Sequence, residues 1–300
     1  MHRNERNLIT RMVFTKALVG ALLAVAAILL APAGGHANDD STNKDNRITE
    51  TSDSFTSGMY PVQVLRFERP GAVQQPAVLL LHGCDGWAQL DAYKRAARCL
   101  VENGYVAIVI RYFDRTKTPD RVAPAQRDAF VRWLKGEAAH DKENVAREHF
   151  TAWVQAVGHA VDYLRKLPNV DPQRIGVCGF SLGGYVAVAA AAQSTYHIAA
   201  LVELFGGLAE ECHKGLQALP PTLILHGEDD TVVPVKEAYA LVGLLIQKKQ
   251  VVDWRIYKGV GHGFIPPGKD QPHLGVLMLA KNETTSFLNK YLKPGPIAAK

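Results

Sequence analysis

A serine set between glycines, at a predicted junction of strand and helix, constrains this 300-residue chain more than any other feature. The sequence Gly179-Phe180-Ser181-Leu182-Gly183-Gly184 follows a short apolar stretch, 174–178, that predicts a buried strand. It precedes 185–193, dense in alanine and valine, which predicts a packed helix. This order is typical of a nucleophile elbow, a turn so sharp that only glycine fits beside the serine. The alternative is a glycine-rich structural turn.

An elbow of this kind makes two chemical predictions. It lifts the hydroxyl of Ser181 above the carboxyl edge of a sheet. It also places the backbone N–H of Leu182 at a helix start, where the N–H can stabilise a developing oxyanion. Ser181 is therefore the candidate nucleophile and Leu182 a candidate oxyanion donor.

The first 37 residues have the pattern of an export signal. Basic residues precede an unbroken apolar run, 17–30, which is too short to span a bilayer comfortably. Small residues at Gly35 and Ala37 offer a cleavage site before Asn38. We expect residues 1–37 to be a signal peptide and the mature protein to be periplasmic or secreted. An uncleaved membrane anchor is the alternative.

Composition excludes several classes of function. Loss of residues 1–37 removes four basic residues and one acidic residue, which lowers the net charge from +5 to +2. No basic stripe remains, so we expect no nucleic-acid partner. The four cysteines are irregularly spaced and match no metal site, and Cys178 reads as a small buried residue. We therefore expect these cysteines to bind no metal.

The rest of the chain predicts one domain. Residues 38–57 are polar and lack periodicity, so we expect a flexible tether, followed by a single domain over 58–300. Apolar strands then alternate with helices, which favours an α/β fold with a mostly parallel central sheet and helices on both faces. The predicted strands are 77–81, 105–110, 174–178, 198–204, 222–225 and 251–257, and the predicted helices are 90–103, 150–164, 185–193, 235–247 and 273–292.

A long connection, 114–145, leaves the carboxyl end of a predicted central strand. It contains a predicted helix, 125–135, with Phe130, Trp133 and Leu134. Since binding sites of α/β sheets lie at that edge, the helix is either a partial lid or an extra helix packed on the domain.

An acid and a base follow Ser181 in the chain order that such a fold requires. Strand 222–225 runs into the acidic turn Glu228-Asp229-Asp230, and the strand ending at Tyr257 leads to Gly261-His262-Gly263. We predict that His262 is the general base and that Asp230, just before the next helix, orients it. Asp229 and Glu228 are the other candidate acids.

A loop after the strand 77–81 supplies the second predicted oxyanion donor. It reads His82-Gly83-Cys84-Asp85-Gly86-Trp87, and the backbone N–H of Cys84 is the candidate donor. The thiol of Cys84 is an alternative nucleophile, although no predicted base accompanies it.

Four of these motifs resemble the dienelactone hydrolase family of α/β-hydrolases. They are Leu81-His82-Gly83, the segment from Arg174 to Gly184, Asp230-Thr231-Val232-Val233-Pro234 and Gly261-His262-Gly263-Phe264. The resemblance spans about 60–292. It implies a single-domain α/β-hydrolase fold and hydrolysis of small esters or lactones through an acyl-enzyme on Ser181, without metal or cofactor.

The chain departs from the founding members of that family at three places. Those enzymes have cysteine where this chain has Ser181, and a glutamate where it has Gly83. They also bind a substrate carboxylate with two arginines; Arg115 loosely matches the first, and Pro266 stands in place of the second. We therefore expect short neutral esters to be preferred over carboxylate-bearing substrates. The candidate apolar walls of the pocket are Trp87, Phe205 and Phe264.

Other functions fit the same scaffold, because a fold does not determine the bond that is cleaved. A thioester or peptide hydrolase is one alternative. A binding protein that has lost catalysis is another, although the complete set of serine, acid and histidine argues against it.

Overall fold

Eight strands form one mixed sheet in the order β1-β2-β4-β3-β5-β6-β7-β8. A computed structural model describes residues 47–120, 122–136, 140–213 and 215–293. The strands are β1 Thr49–Ser57, β2 Tyr60–Glu68, β3 Gln75–Leu81, β4 Val106–Ile110, β5 Val170–Phe180, β6 Ala200–Leu204, β7 Thr222–Gly227 and β8 Val252–Tyr257. The β1–β2 and β2–β4 pairs are antiparallel and all the others are parallel. The predicted mostly parallel sheet is confirmed.

Helices cover both faces of this sheet. They are α1 Leu90–Glu102, α2 Pro124–Leu134, α3 His140–Arg165, α4 Leu182–Ala191, α5 Glu210–His213, α6 Lys236–Gln247 and α7 Leu274–Leu292. Short 3-10 helices occur at Tyr112–Thr116, Ser194–Tyr196 and His262–Phe264. Side chains of α3, α4 and α6 form one apolar cluster with the sheet. Side chains of α1 and α7 form a second cluster on the opposite face. Strands β4, β6 and β7 are buried along their whole length because helices exclude water from both sides.

The predicted tether is wrong over its last nine residues, which form β1. This strand pairs with β2 from Thr49 to Ser57, so backbone hydrogen bonds order it. It lies at the sheet edge with mostly exposed polar side chains, and Phe55 is its one large apolar residue. An edge strand of this kind lacks the apolar alternation that reveals a half-buried strand. Residues 1–46, including the predicted signal peptide, lie outside the described residues.

Helix α2 packs on α3. The ring of Trp133 lies 4.9 Å from that of Phe150, and the ring of Phe130 lies 5.1 Å from that of Trp153. Phe130, Trp133 and Leu134 are buried in the first apolar cluster. For these residues the structure matches the packed-helix alternative. No helix within the described ranges combines the length and apolar character that a membrane span requires.

Candidate active site

Ser181 occupies the tight turn between β5 and α4. Its backbone is left-handed, with φ 55° and ψ −119°, a strained conformation that typically occurs at functional sites. A Cβ on Gly179 would overlap the carbonyl oxygen of Gly183. A Cβ on Gly183 would overlap the carbonyl oxygens of Leu81 and His82. The two glycines are thus required by close backbone approach, as the sequence pattern predicts.

Two loops at the carboxyl edge bring an acid and a histidine to this turn. Asp230 follows β7, and His262 begins a short 3-10 helix after β8. The loops are joined by the backbone hydrogen bond from Asp229 N–H to the carbonyl of Val260, at 3.0 Å. A side chain at Gly227 would collide with the backbone of the histidine loop, so glycine allows the loops to pack together.

The three side chains form a continuous hydrogen-bonded chain. His262 Nε2 lies 2.9 Å from Ser181 Oγ, and His262 Nδ1 lies 2.7 Å from Asp230 Oδ2. The other carboxylate oxygen, Asp230 Oδ1, accepts the backbone N–H groups of Val232 and Val233, each at 2.8 Å. The structure therefore brings together the predicted nucleophile, base and acid.

Asp230 differs from its acidic neighbours in its surroundings. It is 6% exposed, whereas Glu228 and Asp229 lie on the surface of the turn. Burial alone would raise the pKa of Asp230. The charge of His262 and hydrogen bonds from His262 and His226 outweigh that effect and hold the pKa well below its usual value. Asp230 is thus an anion beside His262 at any ordinary pH.

The loop from His82 to Trp87 lies against the serine. A Cβ built on Gly83 would lie 3.4 Å from Ser181 Cβ. The N–H of Gly83 donates to Tyr93 Oη at 2.8 Å, and this hydroxyl donates to Asp85 at 2.9 Å. These contacts attach the loop, which contains the predicted oxyanion donor Cys84, to helix α1.

Aromatic rings also pack against this loop. His82 stacks on Tyr112 with ring centroids 4.0 Å apart, and Tyr112 Oη donates to the carbonyl of His82 at 2.7 Å. Burial lowers the pKa of His82 to about 4, so this ring is neutral at physiological pH.

Tyr93 and Asp85 are site residues that the sequence analysis did not find. Both are buried, and burial raises the pKa of Asp85 to about 7. A loop aspartate is normally expected to be exposed to solvent, and only the structure shows that Asp85 is buried. The sequence does contain one indication, because Tyr93 lies among apolar residues on the inner side of α1, where its hydroxyl needs a buried hydrogen-bond partner.

The predicted pocket walls differ in their access to the site. Phe205 is 1% exposed and its ring lies 5.1 Å from that of His262, so it packs against the imidazole and offers little surface to a pocket. Phe264 is fully buried against Phe205 and Tyr257, which gives it no free face. Trp87 is partly exposed, and its backbone N–H donates to Asp120 at 2.8 Å.

Arg115 lies beside β2, near the β1 side of the sheet. Its guanidinium sits 5.4 Å from the ring centroid of Tyr60 and packs against Gly58 in the β1–β2 turn. Tyr60 belongs to β2, which is three strand positions from β5, or roughly 14 Å at the usual spacing of strands. The structure does not bring Arg115 together with Ser181.

The fold and this serine–histidine–acid arrangement define an α/β hydrolase. A model of the dienelactone hydrolase family matches residues 63–292, and the chain belongs to that family. It is accordingly a hydrolase that acts on ester bonds.

Relatives and solved structures agree with this classification. A carboxymethylenebutenolidase homolog of Mus musculus is 28% identical over 224 residues, covering 72% of this chain and 82% of the relative. An acyl-protein thioesterase 1 of Gibberella zeae is 27% identical over 135 residues, covering 42% of this chain and 52% of the relative. The crystal structure of a dienelactone hydrolase from Anabaena variabilis has a TM-score of 0.59 at 19% identity, covering 82% of this chain and 99% of that one. This structure supports the fold alone.

Proposed function

We propose that the chain is an exported serine esterase that cleaves small carboxylic esters or lactones through an acyl-enzyme on Ser181. The observation that carries the proposal is the hydrogen-bonded chain from Ser181 Oγ through His262 to Asp230, at 2.9 and 2.7 Å. The 2.9 Å distance is within the range that proton transfer between a nucleophile and its base requires, and the 2.7 Å distance allows Asp230 to orient that base.

Each group has one task in this mechanism. Ser181 Oγ attacks the acyl carbon while His262 Nε2 takes its proton, and the imidazolium then returns the proton to the leaving alcohol. Asp230, buried and ionised, keeps the proton of the neutral imidazole on Nδ1 and stabilises the cation that forms. The N–H groups of Cys84 and Leu182 stabilise the tetrahedral oxyanion. Water, activated by His262, releases the acyl group.

The choice of a small ester or lactone rests on two observations. The relatives are named carboxymethylenebutenolidase homologs, which points to a lactone. Arg115, however, packs on Tyr60 of β2, three strand positions from the strand that leads to Ser181, so it supports no carboxylate clamp there. We therefore expect short neutral acyl esters to have a higher kcat/KM than carboxylate-bearing lactones.

Covalent labelling tests the role of Ser181. A fluorophosphonate should label the wild-type protein, and Ser181→Ala should abolish both labelling and hydrolysis of nitrophenyl acetate. Cys84→Ala is the matched control and should keep both. Labelling that survives in Ser181→Ala, or disappears in Cys84→Ala, would contradict the proposal.

A thioester is the second candidate substrate, because the chain also matches the acyl-protein thioesterase of Gibberella zeae over part of its length. The same triad would cleave either bond. Comparison of matched acetyl and octanoyl oxygen esters and thioesters, with the same leaving-group size, separates the two functions. A kcat/KM for thioesters tenfold above that for oxygen esters would favour the second candidate.

Export is proposed from the sequence of residues 1–37 alone. N-terminal sequencing of the protein from fractionated cells should find a mature chain beginning near Asn38 outside the cytoplasm. An intact Met1 on membrane-bound protein would favour the anchor instead.

A further inference from the structure

A buried carboxyl group in the loop after β3 has no task in the mechanism above. Asp85 belongs to this loop, yet it is only 5% exposed. Its two carboxyl oxygens lie 2.9 and 3.1 Å from Tyr93 Oη, and Tyr93 is fully buried on the inner side of α1. Because a buried carboxyl group gives up its hydration, such a contact suggests a role that outweighs the cost.

The hydroxyl of Tyr93 joins Asp85 to the backbone of the loop. It accepts the N–H of Gly83 at 2.8 Å, and it has a single proton, which it donates to Asp85. A carboxyl group can accept this proton whether it is ionised or neutral. The hydrogen bonds therefore run in one direction, from Gly83 through Tyr93 to Asp85.

The ring of Tyr93 also contacts the strand that leads to the nucleophile. Its centroid lies 5.7 Å from that of Phe180, the residue before Ser181, in an edge-to-face arrangement. Tyr93 thus contacts the loop through its hydroxyl and the end of β5 through its ring. An oxyanion hole with one donor from each segment, Cys84 and Leu182, requires that the two segments keep a fixed distance.

Gly83 lies between Asp85 and the nucleophile. A Cβ on Gly83 would lie 2.8 Å from Asp85 Oδ1 and 3.4 Å from Ser181 Cβ. Glycine therefore allows the acid and the elbow to pack against the same backbone segment. A negative charge on Asp85 would repel the oxyanion that forms at Ser181, because a buried charge is poorly screened by water.

From these contacts, we propose that Tyr93 and Asp85 are positioning residues that hold the loop after β3 against the elbow and keep an uncharged acid beside the oxyanion. The inference rests on the proposed function, since it assumes that a tetrahedral oxyanion forms at Ser181. The hydroxyl of Tyr93 aligns the loop, and the neutral state of Asp85 keeps negative charge away from the oxyanion hole.

The titratable groups around Asp85 agree with a neutral acid. Burial raises the pKa of Asp85 to about 7, and the hydrogen bonds from Tyr93 and from backbone N–H groups offset this rise only in part. Burial also keeps the pKa of the phenols of Tyr93 and Tyr112 well above its usual value. The groups that face this cluster are Tyr93 on α1, Arg111 and Tyr112 after β4, Asp120 in the following segment, and His82 and Cys84 in the loop.

Ionisation of Asp85 should slow the reaction. The protonated form is the one that favours an oxyanion, so wild-type kcat should fall as the pH rises through about 7. Asp85→Asn cannot ionise, and its side-chain carbonyl still accepts the hydroxyl of Tyr93. The ratio of variant kcat to wild-type kcat should therefore rise at least about fivefold from about pH 6 to about pH 8.5. Any titration that the two proteins share cancels in this ratio.

Tyr93→Phe tests the alignment of the loop, because it removes the hydroxyl and keeps the ring against Phe180. We expect kcat to fall by about tenfold to a hundredfold and KM to stay within about twofold, since the loop is displaced where it meets the transition state. Tyr105→Phe is the matched control. It removes the hydroxyl of another fully buried tyrosine, which lies 2.8 Å from Asn289 Oδ1, and it should leave both constants within about twofold.

A trifluoromethyl ketone measures the same stabilisation without turnover. Its carbonyl carbon bonds to Ser181 Oγ, the proton of the serine passes to His262, and the carbonyl oxygen becomes the oxyanion. In Tyr93→Phe its Ki should rise by the same factor as kcat/KM falls. In the wild-type protein the Ki should rise above about pH 7, which tests Asp85 even if a variant does not fold. A wild-type Ki that keeps falling up to about pH 8.5 contradicts the proposal.

Two further results would overturn the proposal. One is a Tyr93→Phe variant whose kcat and Ki stay within about twofold of the wild-type values. The other is a ratio of kcat values for Asp85→Asn that does not change with pH.

Amide hydrogen exchange separates this proposal from the proposed function. Loss of the Tyr93 hydroxyl should speed exchange at the N–H of Gly83 by at least about tenfold, and Tyr105→Phe should leave that exchange unchanged. Unchanged exchange in Tyr93→Phe refutes the positioning role even in an active enzyme. The expected exchange in a wild-type protein that no fluorophosphonate labels would confirm that Tyr93 holds the loop and would refute the proposed function.

Discussion

Replacement of Asp230 by asparagine should disable His262 by reversing its tautomer. Asp230 Oδ1 accepts two backbone N–H groups, those of Val232 and Val233, at 2.8 Å each. An asparagine at this position would keep its carbonyl oxygen on these donors, because its amide nitrogen cannot accept a hydrogen bond. The amide nitrogen would then face His262 Nδ1, which would have to become the acceptor. The imidazole proton would move to Nε2, the atom that should take the proton of Ser181.

The expected cost is large for catalysis and small for folding. A histidine held in the wrong tautomer, without a charge to stabilise its cation, lowers kcat by about 10⁴, or about 5 kcal/mol of transition-state stabilisation. Asparagine has the shape of aspartate and keeps the two backbone contacts. The variant should therefore remain folded, with its serine still present at the elbow.

The assay is hydrolysis of nitrophenyl acetate by Asp230→Asn, with the rate of fluorophosphonate labelling measured in parallel. Both rates should fall together, since each depends on removal of the proton of Ser181. Asp229→Asn is the matched control, because Asp229 lies one residue away on the surface of the turn and should change kcat less than about twofold. The reasoning fails if Asp230→Asn keeps more than a tenth of the activity, or if Asp229→Asn is the damaging change.

Two further predictions concern stability and are measured by chemical denaturation. Gly183→Ala should destabilise the fold by about 2 to 4 kcal/mol, because its Cβ would overlap the carbonyl oxygens of Leu81 and His82. Gly243→Ala, in α6 with no neighbour within 4 Å, should instead stabilise it by about 0.5 to 1 kcal/mol, and equal effects would contradict the argument. The folded pKa of Asp85, about 7, lies above its unfolded value, so the unfolded chain loses this proton first and wild-type stability should fall from about pH 4 to 7. Asp85→Asn should make that fall less steep, and an unchanged slope would show that Asp85 is not buried as a neutral acid.

The parts of the site that depend on local geometry could be predicted from the sequence. Two short sequence patterns indicate the site. One is the turn that tolerates only glycine beside Ser181, and the other is the histidine between two glycines. The order of serine, acid and histidine then follows from the fold. Among the three adjacent carboxylates, local position favoured Asp230, and the structure joins that residue to His262.

The parts that depend on distant contacts could not be predicted in the same way. Strand β1 is ordered by its pairing with β2 and has no apolar alternation of its own. The hydrogen bonds of Tyr93 join the loop after β3 to a helix residue that is eight residues beyond Asp85 and ten beyond Gly83. Arg115 matched a family position in the sequence, yet its side chain packs on Tyr60, because the β1–β2 hairpin offers an aromatic face nearby.

Glu203 and His226 combine both cases, because their relative position depends on a distant contact while the sequence of β6 contains a local indication. Whether their side chains project from the same face of the sheet depends on the register of β6 against β7, because a slip of one residue would turn one of them to the other face. That register cannot be read from either strand alone. The sequence nevertheless contained a signal, since Glu203 is a carboxylate within the otherwise apolar β6, where burial of a charge is costly. A charged residue in a central strand therefore indicates a buried polar contact, and the N–H of Gly206 supplies one to Glu203 Oε1.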